Sequence, residues 1–512
     1  MMQGRRVGAR RLLAAFVVLA FAAVGCSSST QSGGGRPVAS QDPGPVADRD
    51  GASPTSAEDD PTTAETPAPG SPTVAADETP ASTETASPEQ PGTSQPTSTP
   101  ASASPASPGP PPPPVKLGFA IPSGNSGAAF GVEYSSNADL GRKAIAALVA
   151  EVNERGGFGG RPAEHVVVEV DQTDQSSGTQ QRLQTEACLA LTEDHQVDLA
   201  ISAGVTSQVH DCFAAHETAL LDELVVADAA DFRLYQPWLL PPMWLNATRL
   251  AKLVPLVMEE ADAMSQRIGI LSFDNERDRR LMEQVMVPDI EARGGKVLDV
   301  AYMPLTYDGA AAGTNNAVLR FNNQDIDTVI VWASLSGVWG LFAQQAESQM
   351  YRPAYVVSTY QTPRTAHETG IVPRNQIRNT IGAGFFATLD QSGSALPAIS
   401  DEERACWEVV NRRSGTNLET REDGDPVTGL CDAVFLTEAA LARAAGQPLP
   451  RADVPGHFHA LGGGYDPIRF DSVFLSDEVL DALGSYSTFA FDAEGCDCFA
   501  YQHGFRPIPF RN

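Results

Sequence analysis

From Ser27 to Pro114 the chain runs for 88 residues without one Leu, Ile, Phe, Tyr, Trp or Met. Pro, Ser, Thr, Ala, Gly and scattered acids fill the stretch. Fixing the backbone of one residue costs about 1–2 kcal/mol, and extensive apolar burial is what offsets that cost. This stretch has no side chains for such burial, so it is expected to stay disordered. Every buried core must therefore come from Val115 onward. About half of the 39 prolines lie before that point, and Pro110 to Pro114 close the stretch as a stiff polyproline stub. As a coil it reaches on the order of 50 Å, and more where proline and charge extend it. It reads either as a spacer lifting a folded body off a surface or as an inert linker. Its Ser, Thr and Pro content also permits O-glycosylation.

The segment before it reads as an address. Arg5, Arg6, Arg10 and Arg11 make a basic start, Leu12 to Ala23 is an apolar run, and small residues lead to Cys26. A run this short spans a bilayer poorly, so residues 1–25 read as a signal peptide. Ala23-Val24-Gly25-Cys26 resembles a bacterial lipobox, with Ala23 where leucine is usual. Cys26 is then the lipidated first residue of the mature chain, and Ser27-Ser28-Ser29-Thr30 follows in keeping. The alternative is an ordinary signal with a cysteine nearby. No other apolar segment is long enough to span a membrane, so lipid would be the sole anchor.

The net charge of −29 belongs mainly to the remainder, about −24 of it after Pro114. That balance argues against nucleic acid and against broad adsorption on anionic lipid, both of which need a Lys/Arg surface.

After Pro114 the pattern alternates. Strands are expected at Val115–Ile121, His165–Val170, Leu199–Ser202 and Leu220–Ala227, with helices at Ala138–Arg155, Gln180–Leu191 and Val209–Glu217 between them. The first helix carries Leu140, Ala144, Leu148 and Val152 four apart, and Gly156-Gly157 ends it. After Pro241-Pro242 the pattern restarts. Strands are expected at Ile268–Ser272, Val297–Met303, Thr328–Trp332 and Ala354–Thr359, with helices at Asn246–Met264, Arg277–Arg293, Ala311–Asn322 and Val338–Met350. Helices at Glu402–Arg413 and Gly429–Ala444 and strands at Thr488–Phe491 and Phe499–Gln502 complete the reading. Strands alternating with long helices argue βαβ units and parallel sheets. The expected fold class is α/β, with two doubly wound parallel-sheet lobes and a cleft between them. Ligands of such sheets bind outside the carboxyl ends of the strands.

Several segments carry a family resemblance. They are Val115-Lys116-Leu117-Gly118-Phe119-Ala120-Ile121 and Val152-Asn153-Glu154-Arg155-Gly156-Gly157-Phe158-Gly159-Gly160-Arg161, then Val168 to Asp174, Ile326-Asp327-Thr328-Val329-Ile330 and Phe491-Asp492-Ala493-Glu494-Gly495. In that order, over nearly 390 residues, they resemble the type 1 periplasmic-binding proteins, most closely the branched-chain amino acid (Leu/Ile/Val) receptors of ABC transporters. The resemblance implies two lobes joined by three crossovers that close on ligand about a hinge. It implies a first lobe of 115–243 completed by about 375–484, and a second of 244–374 completed by about 485–512, after the signal (1–25) and the lipidated tether (26–114). It also supports pairing the six remaining cysteines in sequence order, as Cys188–Cys212, Cys406–Cys431 and Cys496–Cys498. Six cysteines allow fifteen pairings, and proximity is the other ground for this one. Cys496-Asp497-Cys498 admits a redox or metal reading beside the structural disulfide.

The resemblance places ligand contacts on loops after strands. In the first lobe it points to Ser123, Asn125, Ser126 and Phe130, to Thr206 and Ser207, and to Ala229 and Ala230. In the second it points to Asp274 and Asn275, to Ser334 and to Tyr360. Loop Ser, Thr and Asn residues also serve as helix caps and turn formers, so each has a structural alternative. The family's ammonium-binding acid would fall near Thr359 or Tyr360, where no acid stands. A buried ammonium without a counter-charge is costly, so the ligand is left open among amides, polyols, small aromatics and none.

Catalysis finds little footing. Gly156-Gly157-Phe158-Gly159-Gly160 follows a helix instead of a strand, so it reads as a helix stop and not a phosphate loop. His457 and His459 have no third ligand nearby, and Gly-x-Ser-x-Gly and His-Glu-x-x-His are absent. The expectation is a monomeric, extracytoplasmic, lipid-anchored receptor on the outer face of the cytoplasmic membrane. It would take a small amino-acid-like or polar ligand, need no cofactor or metal, bind no nucleic acid and partner an ABC permease. A cell-envelope sensor or interaction module with the same fold is the alternative.

Overall fold

The computed structural model describes residues 112–510 apart from 126–135, 175, 207, 224–226, 242, 305–306, 333–335 and 446. The signal, Cys26 and nearly all of the tether lie outside the described residues, as do Ser126, Phe130, Ser207 and Ser334.

The first sheet is built from β1 (Val115–Ser123), β2 (Ala163–Asp171), β3 (Leu199–Ser202) and β4 (Ala219–Asp222), in the order β2-β1-β3-β4 and parallel throughout. The crossover helix Ala138–Glu154 starts where the Asn137 side chain accepts a hydrogen bond from Leu140 N at 3.0 Å. It buries Ala144, Ile145, Leu148, Val149 and Val152. Its end is the expected glycine stop: Gly157 has φ +79°, and a Cβ there would lie 1.9 Å from the Arg161 carbonyl oxygen.

The second sheet continues from β5 (Ile268–Phe273) and β6 (Val297–Met303) through β7 (Thr328–Val331), β8 (Ala354–Ser358) and β9 (Thr380–Gly384). It is completed by β10 (Ser485–Asp492), β11 (Cys498–Tyr501) and the short β12 (Arg506–Pro507). Its order is β11-β10-β9-β8-β7-β5-β6, with β12 also paired to β10. The five strands from β5 to β9 run parallel, and β10 pairs antiparallel with both β9 and β11.

Two differences from the sequence expectation have clear causes. The strand β9 was not expected, and it keeps the chain in the second sheet past residue 374. Its Gly382 and Gly384 depress strand propensity, yet a Cβ at either would strike Phe489 or Tyr501 at 2.2 and 2.6 Å. Glycine is there so that the rings of β10 and β11 can lie across it. The late helix begins at Arg421 instead of Gly429 and runs to Leu441. Gly424, Asp425 and Pro426 look like helix breakers, but Thr420 caps the start and a Cβ at Gly424 would sit 2.1 Å from the Trp407 ring. That glycine allows close packing between helices.

The chain passes between the lobes three times: after Leu240, after β9, and before β10. In between, the helices Asp401–Ser414 and Arg421–Leu441 return to pack on Ala138–Glu154. The first and third passages are clasped together. Asn246 donates to Asp481 from its backbone (2.9 Å) and its side chain (2.7 Å), and the buried Arg249 ion-pairs with Asp481. The second passage presses Phe385 and Phe386 against Trp244 of the first, at ring separations of 5.7 and 5.9 Å.

The disulfides are Cys188–Cys212, Cys406–Cys431 and Cys496–Cys498. No helix among the described residues is long and apolar enough to cross a membrane.

Candidate functional site

The carboxyl ends of the strands are the natural place for a ligand, and the loops there come from both lobes. The loop after β4 leads into the helix Ala229–Tyr235, and that after β5 into Glu276–Leu281. Asp228 closes a capping box on the first of these helices with Asp231. Its second carboxylate oxygen reaches across the lobes to Arg280 on the other helix, at 2.5 Å. A charge pair therefore bridges the cleft, with Asp228 almost fully buried and Arg280 partly exposed.

The expected first-lobe contacts are largely engaged within the chain. Ser123 ends β1, and its carbonyl accepts from Gln172 N at 2.8 Å. Asn125 N donates to the Thr173 hydroxyl at 3.3 Å, tying the β1 loop to the β2 loop. Thr206 is fully buried and donates to Asp222 Oδ2 at 2.8 Å, an oxygen that His210 also approaches at 3.4 Å. The amide of Ala229 donates to Thr248 Oγ1 at 3.0 Å, and that of Ala230 to Asp228 Oδ1 at 2.7 Å.

The second lobe repeats the theme. Asn275 is the N-cap of its helix: its side chain accepts from Asp278 N and donates to Asp278 Oδ2, both at 2.8 Å. Asp274 pairs with Arg279 at 2.6 Å, and that guanidinium holds its carboxyl below the usual range. Tyr360 is buried, its hydroxyl donates to Leu245 O at 2.8 Å, and its ring lies 5.1 Å from Trp244. Burial pushes its phenol pKa up. It braces the hinge from the position where the resemblance puts an acid.

Three residues at this edge were not foreseen. Glu223 stands directly after β4, with Arg469 donating to its Oε2 at 3.3 Å. Burial raises its carboxyl pKa against the pull of Arg469. Arg469 also bonds Asp432 at 2.9 Å and lies 5.4 Å from the ring centres of both Phe386 and Phe470. The trace of Glu223 in the sequence is the pair Asp222-Glu223 interrupting an apolar run. That run was read as one strand to Ala227, but β4 ends at Asp222. Arg469 left no trace, because it arrives from 246 residues away in sequence.

The Cys496–Cys498 bond settles those two thiols in a disulfide, so they offer no thiolate ligands to a metal.

No protein-family model matches the chain, and no curated protein sequence matches it. Solved structures do. A solute-binding protein of an ABC transporter from Rhodopseudomonas palustris HaA2, in complex with p-hydroxybenzoic acid, superposes with a TM-score of 0.56 at 14% identity, covering 77% of this chain and 98% of that one. The branched-chain amino acid transporter substrate-binding protein of Streptococcus pneumoniae, in complex with isoleucine, gives 0.53 at 12% identity, covering 76% and 99%. A leucine-binding protein from Thermotoga maritima MSB8 gives 0.54 at 11%, covering 77% and 99%. All three are type 1 periplasmic-binding structures. At these identities the likeness shows the fold, and the chain, with its two parallel-sheet lobes, has the type 1 periplasmic-binding fold.

Proposed function

We propose that the protein is an extracytoplasmic solute-binding receptor, anchored by lipid on Cys26, that delivers a small polar solute to an ABC permease. The observation that carries this reading is the pair of opposed strand-end loops bridged by Asp228 and Arg280, in lobes joined by three passages. Such an arrangement encloses a small molecule by hinge closure. The similar structures were solved with isoleucine, p-hydroxybenzoic acid and related compounds, and that range sets the size and polarity of the solute proposed here. The receptor acts as a monomer and performs no catalysis. The tether holds the body away from the membrane, and the acidic charge stays on the body.

The test is the full-length chain expressed in a bacterial host and extracted from its membranes. Mass spectrometry is expected to find a co-purifying small molecule, and thermal-shift measurements to find a stabilising compound among amino acids, benzoates and polar metabolites. A chain that carries nothing and is stabilised by nothing would sink the reading. Cys26→Ser is expected to move the protein from the membrane to the soluble fraction.

A specific observation favours the sensor as second reading: the donors expected to hold a ligand at Thr206, Ala229 and Ala230 are already bonded within the chain. A strain lacking the protein separates the two readings. Loss of solute uptake supports transport, and unchanged uptake with an altered envelope response supports sensing.

A further inference from the structure

The second passage between the lobes is fastened by a carboxyl group. Asp390 is fully buried, at the end of the single helical turn that follows Phe386. Its Oδ2 accepts from Phe386 N at 3.0 Å and from Tyr501 OH on β11 at 2.6 Å. Asp390 N donates back to Phe386 O at 3.0 Å. The neighbouring amide, Phe385 N, donates at 3.0 Å to the hydroxyl of Thr359, just after β8. Two consecutive amides of the passage are thus held by side chains of the second lobe. Their own rings meet the first passage: Phe385 and Phe386 lie 5.7 and 5.9 Å from Trp244. Gly384 makes room for the carboxyl, since a Cβ there would lie 2.7 Å from Asp390 Oδ2.

No cation among the described residues is bonded to this carboxyl. Of the charged and titratable groups around it, Arg364 is bonded to Thr388 O at 3.1 Å and to Asp425 at 2.9 Å, and His367 Nδ1 lies 2.9 Å from Ser392 Oγ. Arg469, beside the Phe386 ring, is bonded to Asp432 and Glu223. Tyr501 and Thr359 bring only hydroxyls, and β10 brings Phe489 against Gly384. Asp390 Oδ1 has no partner among the described residues. A proton on Oδ1 therefore leaves both Oδ2 bonds intact and the seat uncharged. An ionised Asp390 is a buried charge without a counter-ion, which is costly. Burial accordingly raises its pKa to about 7. Water relieves that charge only where the carboxyl parts from its cover, and Phe386, bonded to it, lies on a segment that crosses between the lobes.

We propose that Asp390 is a proton-operated latch on the second passage: protonated, it seats Phe385 and Phe386 against Trp244, and ionised, it releases them and frees the lobes to move apart. The seated form is favoured most below about pH 4, loses ground as pH rises to about 7, and changes no further above that. The ratio of seated to released forms changes by up to about 1000-fold across this range, the difference between a carboxyl near 7 and one in water. The latch depends on the fold and not on the solute, so a protein without it could still be the receptor proposed above.

The test is hydrogen exchange of the full-length protein between about pH 5 and about pH 7.5, read by mass spectrometry and corrected for intrinsic rates. Protection of the peptide carrying Phe385 and Phe386 is expected to fall at least about 10-fold, and protection of the β7 peptide carrying Val329 and Ile330 to fall less. Asp390→Asn, neutral at every pH, is expected to keep Phe385 and Phe386 protected throughout. Tyr501→Phe removes a donor to the ionised form and is expected to move the loss to higher pH, and it decides the matter should Asp390→Asn not fold. An equal fall in both peptides would make Asp390 a group of global stability and overturn the latch. So would a fall that persists in Asp390→Asn, which would belong to another group such as His367, or a Tyr501→Phe profile identical to the parent's.

Discussion

The two lobes share one plan but bury different chemistry. The second lobe is filled by rings: Trp339, Phe342, Tyr355, Phe489 and Phe499 are all buried and meet edge to face or tilted, at centroid distances of 5.7 to 6.5 Å. The strand edge of the first lobe is filled by charge instead, with Glu223, Arg469 and Asp432 beside Asp222, Thr206 and His210. Rings gain from contact alone and tolerate no vacancy, whereas charges hold only while each partner is present. A lobe packed with rings makes a stiff wall. An edge packed with unequally paired charges depends on each partner staying in place. The two disulfides Cys188–Cys212 and Cys406–Cys431 lie in the first lobe, and each closes a loop that can contribute about 3 kcal/mol in the entropic model, which suits an edge weakened by buried charge.

Four measurements put this contrast at risk. The largest effect is expected from Phe489→Ala, which empties a fully buried site between β9 and β11. Urea unfolding is expected to show a loss of about 4–5 kcal/mol, and a loss near zero would refute the stiff-wall description.

Asp390 comes next, as the exception within the second lobe. It is buried, accepts from Tyr501 OH at 2.6 Å and Phe386 N at 3.0 Å, and has no arginine or lysine bonded to it. Burial raises its pKa from 3.8 to about 7. The folded protein then binds a proton that the unfolded chain has lost, so stability is expected to fall as pH rises from about 4 to about 7. The integrated change is on the order of 4 kcal/mol, and Asp390→Asn is expected to remove that part of the slope in unfolding curves across this range. A slope identical in the variant would exclude Asp390 as its source.

Third is Arg469→Met, which strands Glu223 and Asp432 without a cation. A loss of about 3 kcal/mol is expected, partly restored when Glu223→Gln is added. If the two changes simply add, the cluster is not one unit. The smallest effect is expected from Arg280→Gln across the cleft, below about 1 kcal/mol in stability, because that guanidinium is partly exposed. Its readout is shape: small-angle scattering is expected to show a larger radius of gyration, and an unchanged radius would mean the bridge does not hold the lobes.

Much of the architecture was legible residue by residue. The stripe Ala144, Leu148 and Val152 with the Gly156-Gly157 stop gave the first crossover helix nearly to its ends, and the apolar run Val297–Met303 gave β6 at its full length. Where reading failed, one residue was answering a distant partner. Gly382 and Gly384 looked like breakers until Phe489 and Tyr501 were seen lying across them, and Gly424 until Trp407 was. The expected ligand contacts are ambiguous for the same reason. A loop Ser, Thr or Asn has the same letter whether it holds a solute or caps a helix, and Asn275 caps its own helix. Tyr360 carries no local sign that its hydroxyl reaches Leu245, over a hundred residues earlier.

The sequence by itself determined what is local or periodic. Alternating strand and helix patterns after Pro114 demand layered parallel sheets, and glycine stops mark where helices end. These follow from composition and spacing, which every segment carries within itself. Tertiary structure alone decided which charges meet. Glu223, Asp432 and Arg469 become one cluster, and Asp228 and Arg280 one bridge, because the chain crosses between the lobes and brings remote segments to one strand edge. Electrostatic partnership depends on distance in space and on exclusion of water, and neither is written in the order of residues.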